Sequence, residues 1–392
     1  MPLAPRVRTS IEWLATLVSV LLVLEICTRS FSSIPESVIE RDDLIGVRFK
    51  RSLDLQRYDA ESDRVVPLQT NTQRFRDEEW TRDKPPGVRR VAVFGDSFIA
   101  ANALPCEQIL VSRPESLLNR SKGPRHQVMN FGIGGSSTGQ QLVAYRKLAS
   151  EYDPDVVIVC FGNSSDVTDN SSELSSNPIL RCRIEADGQL QTVVVTTAQR
   201  RGSQLLNRYS RFYDWQKHVV NRLVKQLRRG VRPLELRHRV YDTNLDPRFE
   251  RAWDLTERIL VQFRTEASNN GTRLVVVSIP ASSQIHRDQF ERLREQAGTG
   301  SRMEDDFPDT QLATICRRSR IPYLSLLPAF RAAAPDRDSR VLQQRLFLGG
   351  AGHFNKTGHE LAADAIIKWL DRSQQPPSSE DRSKVSQVTN KP

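Results

Sequence analysis

Five short apolar runs punctuate the chain at residues 90–94, 128–131, 156–161, 274–279 and 323–327, and three of them, 90–94, 156–161 and 274–279, are rich in β-branched residues over strand length. Between them lie stretches whose apolar residues recur at helical spacing, among them 140–150, 252–268 and 357–370. A continuously apolar strand has to be covered on both faces. Strands that alternate with amphipathic helices achieve this by running parallel, with the helices packed above and below. The pattern therefore predicts an α/β domain built on a parallel sheet.

The chain of 392 residues is long enough for one large domain or two ordinary ones, and 38% hydrophobic against 27% charged residues leaves enough apolar side chain for a core. Five Cys with no CxxC pair suggest neither a disulfide framework nor a zinc site, and no metal or other cofactor is expected. Ahead of the first strand, Arg6 and Arg8 precede an apolar run at 11–27. As a helix it spans roughly 25 Å, the short limit of a bilayer crossing. An uncleaved signal anchor is the leading reading. A cleaved signal lacks a good A-x-A site, and a buried soluble helix is the third reading. The positive charge in front places the body of the chain outside the cytoplasm, periplasmic or at the cell surface. The expected organisation is an anchor at 1–29, a polar linker and lead-in at 30–88, the α/β domain at 89–372 with a basic helical insert at about 181–245, and a disordered tail at 373–392.

The first run leads into Gly95-Asp96-Ser97. In an open parallel sheet the carboxyl ends of the strands face the crevice where ligands bind, so Ser97 stands where a nucleophile would. The same three residues also make an ordinary turn with Ser as helix N-cap. The other strands end in complementary groups. After 128–131 comes Gly132-Ile133-Gly134-Gly135, whose backbone N–H groups are open to a bound oxygen; after 156–161 comes Gly162-Asn163, whose amide would donate to the same oxygen. Read singly, these are a tight turn and an Asx turn. His353, just before the last helical stretch, can return over the sheet edge as a general base, with Thr357 and Glu360 as a capping box behind it. His359, in that first turn, reads as structural, and its six-residue spacing from His353 fits no common metal pattern.

Gly95-Asp96-Ser97, Asn130 to Gly135, Gly162-Asn163 and His353 follow the order of the four blocks of the SGNH hydrolases, also called the GDSL family of lipases and esterases, and the chain resembles that family. Thr70-Asn71, Phe75-Arg76-Asp77 and Lys84-Pro85-Pro86-Gly87 are similar to the lead-in of its membrane-anchored bacterial members. The resemblance implies a flavodoxin-like three-layer α/β/α sandwich on a five-stranded parallel sheet. It also implies a serine ester hydrolase with Ser97 as nucleophile, His353 as base, and Ser97, Gly135 and Asn163 as the oxyanion hole. Two departures stand out. Members of this type place an Asp two or three residues before the histidine, where this chain has Gly350 and Ala351. Losing such a carboxylate costs on the order of 10⁴ in turnover. A Ser97–His353 dyad, a carboxylate contributed by Asp166, and decayed activity are the three outcomes that follow. The asparagine block also reads Gly162-Asn163-Ser164-Ser165-Asp166, where relatives often have Gly-Asn-Asp. The expected substrate is a small acyl ester or an O-acylated glycan; acetyl transfer to an exported polysaccharide and silent glycan binding are the alternatives.

The net charge of +10 is local. Residues 181–240 hold 14 Lys and Arg against four Asp and Glu, which leaves 43 of each sign elsewhere. Leu205, Leu206, Tyr209, Phe212, Val219, Val220, Leu223, Val224 and Leu227 recur there at helical spacing with basic residues between them. Such a helix either packs its apolar face on the body of the protein or lies on an anionic lipid surface. Nucleic acid is not an expected partner, because one basic element without a recognition motif lacks the distributed footprint.

Overall fold

The computed structural model of the chain describes residues 5–31, 37–42, 44–119, 124–175, 180–185, 189–194, 206, 210–227, 234–335, 345–349 and 352–374. It divides into two compact units, one of residues 1–37 with 196–233 and one of 38–195 with 234–392. Residues 375–392 of the expected tail and the Gly350-Ala351 pair lie outside the described residues, while Ser373 and Gln374 end the last helix.

The larger unit opens with two antiparallel hairpins, β1 (Ile39–Asp42) with β2 (Gly46–Phe49) and β3 (Asp54–Asp59) with β4 (Arg64–Gln69). The apolar runs then form β5 (Val88–Gly95), β6 (Arg125–Gly132) and β7 (Val156–Gly162). A third hairpin, β8 (Leu180–Ile184) with β9 (Leu190–Val194), precedes β10 (Arg273–Ile279) and β11 (Tyr323–Ser325). The five apolar strands make one parallel sheet in the order β11-β10-β7-β5-β6. Side chains alternate between two cores, as the period of a strand requires. Ala92, Phe94, Val157 and Val159 face one core with the helices Thr138–Lys147 and Pro247–Asn269, while Val91, Val93, Ile158 and Val277 face the other with the helices Leu327–Ala333 and Lys356–Gln374. This is the expected three-layer α/β/α sandwich.

Two local expectations are corrected. The last helix begins at Lys356, and its cap is Asn355, whose Oδ1 accepts from Gly358 N at 3.0 Å, rather than the Thr357–Glu360 box. The lead-in at 30–88, read from the sequence as a polar linker, instead carries the two hairpins β1–β2 and β3–β4. Its hairpins have a small core of their own, in which Val38, Phe49 and Leu68 pack with Ala100 of the short helix Ser97–Ala100. Arg76, 1% exposed, donates to the carbonyls of Ala100 (2.9 Å), Leu104 (2.7 Å) and Ala101, tying off the end of that helix. A planar guanidinium reaches three acceptors where an ammonium reaches them poorly. Arg76→Met is expected to lower unfolding stability by about 3 kcal/mol, and Arg76→Lys by less, read by denaturant titration, since methionine leaves all three buried carbonyls without a charged donor and an ammonium reaches only some of them.

The smaller unit contains the helices Pro5–Phe31 and Arg211–Leu227. Ile11–Phe31 is the one stretch among the described residues that is long and apolar enough to cross a membrane. Of the apolar positions read as an amphipathic helix, Leu205 and Tyr209 lie outside the described residues.

Candidate active site

Ser97 follows β5 directly. Asp96 caps the helix it starts, with Oδ1 accepting from Phe98 N at 2.9 Å, so the cap does not occupy the Ser97 hydroxyl. Gly95 and Gly132 stand opposite each other in the β5–β6 register. A Cβ on Gly95 would meet Ile99 Cγ1, and one on Gly132 would meet the backbone nitrogen of Ala100 at contact-breaking range. Both glycines thus let the Ser97–Ala100 helix lie against the strand ends. Strand order reverses between β5 and β7, so Ser97 sits at the topological switch point, where open α/β sheets form their binding crevice.

His353 arrives from the far end of the chain. Its loop is held by Leu348 N donating to His353 O at 2.7 Å and by an antiparallel bridge between Phe347 and Phe354. Phe98 packs edge-on to the imidazole, 5.2 Å between ring centres. His353 Nε2 is 2.7 Å from Ser97 Oγ. On the other side, His353 Nδ1 is 2.6 Å from Glu61 Oε2, and the His353 backbone N–H donates to Glu61 Oε1 at 3.1 Å. An ionised carboxylate only accepts, so this contact puts the ring proton on Nδ1 and leaves Nε2 to accept from the serine. Burial disfavours the charged imidazole, but the hydrogen bond and charge of Glu61, with Asp96 and Asp59 farther off, outweigh it and hold the His353 pKa above its usual value.

Glu61 is the residue that sequence reasoning missed. It sits in the four-residue turn between β3 and β4, whose register pairs Asp59 with Arg64. Asp59 Oδ1 accepts from the N–H groups of Glu61 (3.0 Å) and Ser62 (2.9 Å), and this side-chain turn presents Glu61 to the histidine. The signal in the sequence was the alternation of Leu53, Leu55 and then Val66, Leu68 about a polar turn, which marks a hairpin.

Asp166 is not the carboxylate on His353. Its Oδ1 accepts from Thr138 Oγ1 at 2.7 Å and its Oδ2 from Gly162 N at 2.6 Å, so it braces the end of β7 instead. Burial raises its pKa well above the usual carboxylate value, with the nearby Asp96 adding to the effect. Asn163 also differs from expectation. Its Nδ2 donates to Gln284 Oε1 and Asp309 Oδ1, 3.3 Å each, and its Oδ1 accepts from Ser278 Oγ at 2.9 Å. These contacts place the amide in a polar cluster at the end of β7. Gly135 remains open, with φ +72° and no atom near its α-carbon's missing substituent. Asn163→Ala is expected to cost about 1–3 kcal/mol of stability by stranding those partners. Thermal unfolding reads this, and a large loss of turnover at unchanged stability would instead return the amide to the oxyanion. His359 is 2% exposed, with Nδ1 accepting from Leu110 N at 3.1 Å, and serves the packing of its helix. Among the described residues no group of three His, Cys, Asp or Glu side chains is placed to hold a metal ion.

Comparison with known families returns a match to GDSL-like Lipase/Acylhydrolase over residues 91–366. The chain belongs to this family. As a GDSL-like acylhydrolase it is an ester-bond hydrolase, and the hairpin carrying Glu61 lies ahead of the matched residues. The chain is similar to three proteins of known structure. These are the α/β hydrolase LAE5 from the metagenome of Lake Arreo (12% identity, 73% of this chain and 97% of that one, TM-score 0.41), a catalytic mutant of the acetylxylan esterase Axe2 from Geobacillus stearothermophilus (12%, 72% and 94%, 0.41) and a lipase/acylhydrolase from Enterococcus faecalis (14%, 74% and 100%, 0.39). A search of curated proteins found no match.

Proposed function

We propose that the chain is a membrane-tethered, extracytoplasmic serine hydrolase of small acyl esters, O-acylated sugars among them, working through Ser97, His353 and Glu61. The observation that carries this reading is the continuous relay of 2.7 Å and 2.6 Å contacts from the serine hydroxyl through the imidazole to a carboxylate. Ser97 Oγ attacks the ester carbonyl while its proton passes to His353 Nε2. The imidazolium so formed is stabilised by Glu61. It then protonates the departing alkoxide as the acyl–oxygen bond breaks, leaving the acyl group on Ser97. Water repeats the sequence and releases the acid. The backbone N–H groups of Ser97 and Gly135 are the donors offered to the oxyanion.

Silent glycan binding was motivated by the lack of an Asp at Gly350 or Ala351, and Glu61 fills that chemical role. Transfer to a sugar hydroxyl would use the same acyl-enzyme, and product analysis with candidate glycans separates it from hydrolysis. The apolar helix at Ile11–Phe31, with Arg6 and Arg8 before it, supports an uncleaved anchor and an external catalytic unit. The test is covalent: a fluorophosphonate applied to the detergent-solubilised full chain should modify the peptide containing Ser97. Modification at another serine, or none, would overturn the assignment.

A further inference from the structure

The Arg211–Leu227 helix is not used in the reaction proposed above, and its start is tied to the apolar helix Pro5–Phe31. Glu25, at the end of the apolar run, accepts from Arg211 N at 2.8 Å with one carboxylate oxygen, and from Phe212 N at 3.0 Å and Ser210 Oγ at 2.8 Å with the other. Arg29 Nε donates to the same carboxylate at 2.7 Å. The first N–H groups of a helix have no intrahelical partner and carry partial positive charge, so a carboxylate there satisfies two of them and is attracted electrostatically. The second helix therefore begins where the apolar stretch of the first one ends.

Its two faces are sharply different. Phe212, Trp215, Val219, Val220, Leu223 and Val224 recur at helical spacing on one side, while the sequence places Arg211, Lys217, Arg222 and Lys225, with a single Asp214, on the other. Much of the apolar side is uncovered: Val220 is 50% and Leu223 51% exposed, and Trp215 and Val224 are exposed too, while Phe212 and Val219 are half-buried. The Pro5–Phe31 helix likewise exposes large apolar side chains such as Trp13, Leu14, Leu17 and Leu22. We propose that the Arg211–Leu227 helix lies in the lipid–water interface of the bilayer that the Pro5–Phe31 helix crosses, with its apolar side among acyl chains and its basic side among anionic headgroups. Three observations choose lipid over a protein partner. Between Trp13 and Leu24 the neighbouring helix carries no charge and exposes large apolar side chains, a surface that lipid covers. Glu25 fixes the start of the second helix at the level where that apolar stretch stops. The opposite face is basic, which complements anionic headgroups. This proposal rests on the reading of Pro5–Phe31 as an uncleaved anchor.

The experiment uses the full chain with Cys27→Ser and Cys106→Ser, reconstituted in phosphatidylcholine vesicles with or without phosphatidylglycerol. A nitroxide is attached in turn at Leu223→Cys, Lys217→Cys and Leu21→Cys, and its collision rates with oxygen and with a water-soluble nickel chelate are compared. The expected ratio of oxygen to nickel collisions is several-fold higher at 223 than at 217, and falls at 223 when phosphatidylglycerol is omitted or Glu25→Gln is introduced. Equal, water-like ratios at 223 and 217 would overturn the proposal. The label at 21 distinguishes the two failures. A lipid-like value there with water-like values at 223 rejects the interfacial helix alone, and a water-like value at 21 rejects the anchor and the interfacial helix together.

Discussion

Ser97→Ala is expected to lower kcat/KM for an activated acetyl ester by on the order of 10⁵–10⁶, because the variant has no group to form the acyl-enzyme. Stability should stay within about 1 kcal/mol of the parent, since Asp96 and not Ser97 caps the helix that follows β5. This pairing of effects separates a lost nucleophile from a disturbed strand end. A steady-state assay beside a denaturant titration reads both, and substantial acyl hydrolysis by the variant would rule Ser97 out as the nucleophile.

Glu61→Gln is expected to lower kcat by roughly 10³–10⁴ with little change in KM, although the substitution adds no bulk. Glu61 accepts from two donors, His353 Nδ1 and the His353 backbone N–H, one on each oxygen. A glutamine has one acceptor and one donor group, so it satisfies only one of them. If its NH₂ faces Nδ1, the ring proton moves to Nε2, and the imidazole can no longer take the serine proton. The pH dependence should move as well. The neutral imidazole is the active base, and Glu61 holds its pKa above the usual 6.5, so the acidic limb of the wild-type profile lies above that pH. Removing the charge lowers the pKa and shifts the limb to lower pH, under a much smaller plateau. The same raised pKa means that the contribution of the His353–Glu61 pair to folding is complete below the unfolded value and is lost as pH rises through the folded one.

The sheet was legible because its strands are buried on both faces and read as unbroken apolar runs that stop at glycines. Ser97 was legible because it follows the end of such a strand, and His353 because it stands just before the last helix. Glu61 was not, for a physical reason: it acts on a residue 292 positions away, from a polar turn in which acidic residues are ordinary. Asn163 was assigned from its place at the end of β7, but the direction of its amide is decided by Ser278, Gln284 and Asp309, which arrive much later in the chain. Asp166 shows the same limit, since its partners Thr138 and Gly162 close around it only after β6 and β7 pack on opposite sides of β5. The basic segment announced a helix through its spacing, whereas the carboxylate that starts that helix comes from the amino-terminal run, at Glu25.

The most direct measurement of the central claim, that Glu61 governs a Ser97–His353 pair, is the rate of fluorophosphonate labelling of Ser97 as a function of pH in the wild type and in Glu61→Gln. The wild-type rate is expected to rise with an apparent pKa above 6.5, and the variant to be slower by orders of magnitude with its rise displaced to lower pH. Superimposable curves for the two proteins would contradict the claim.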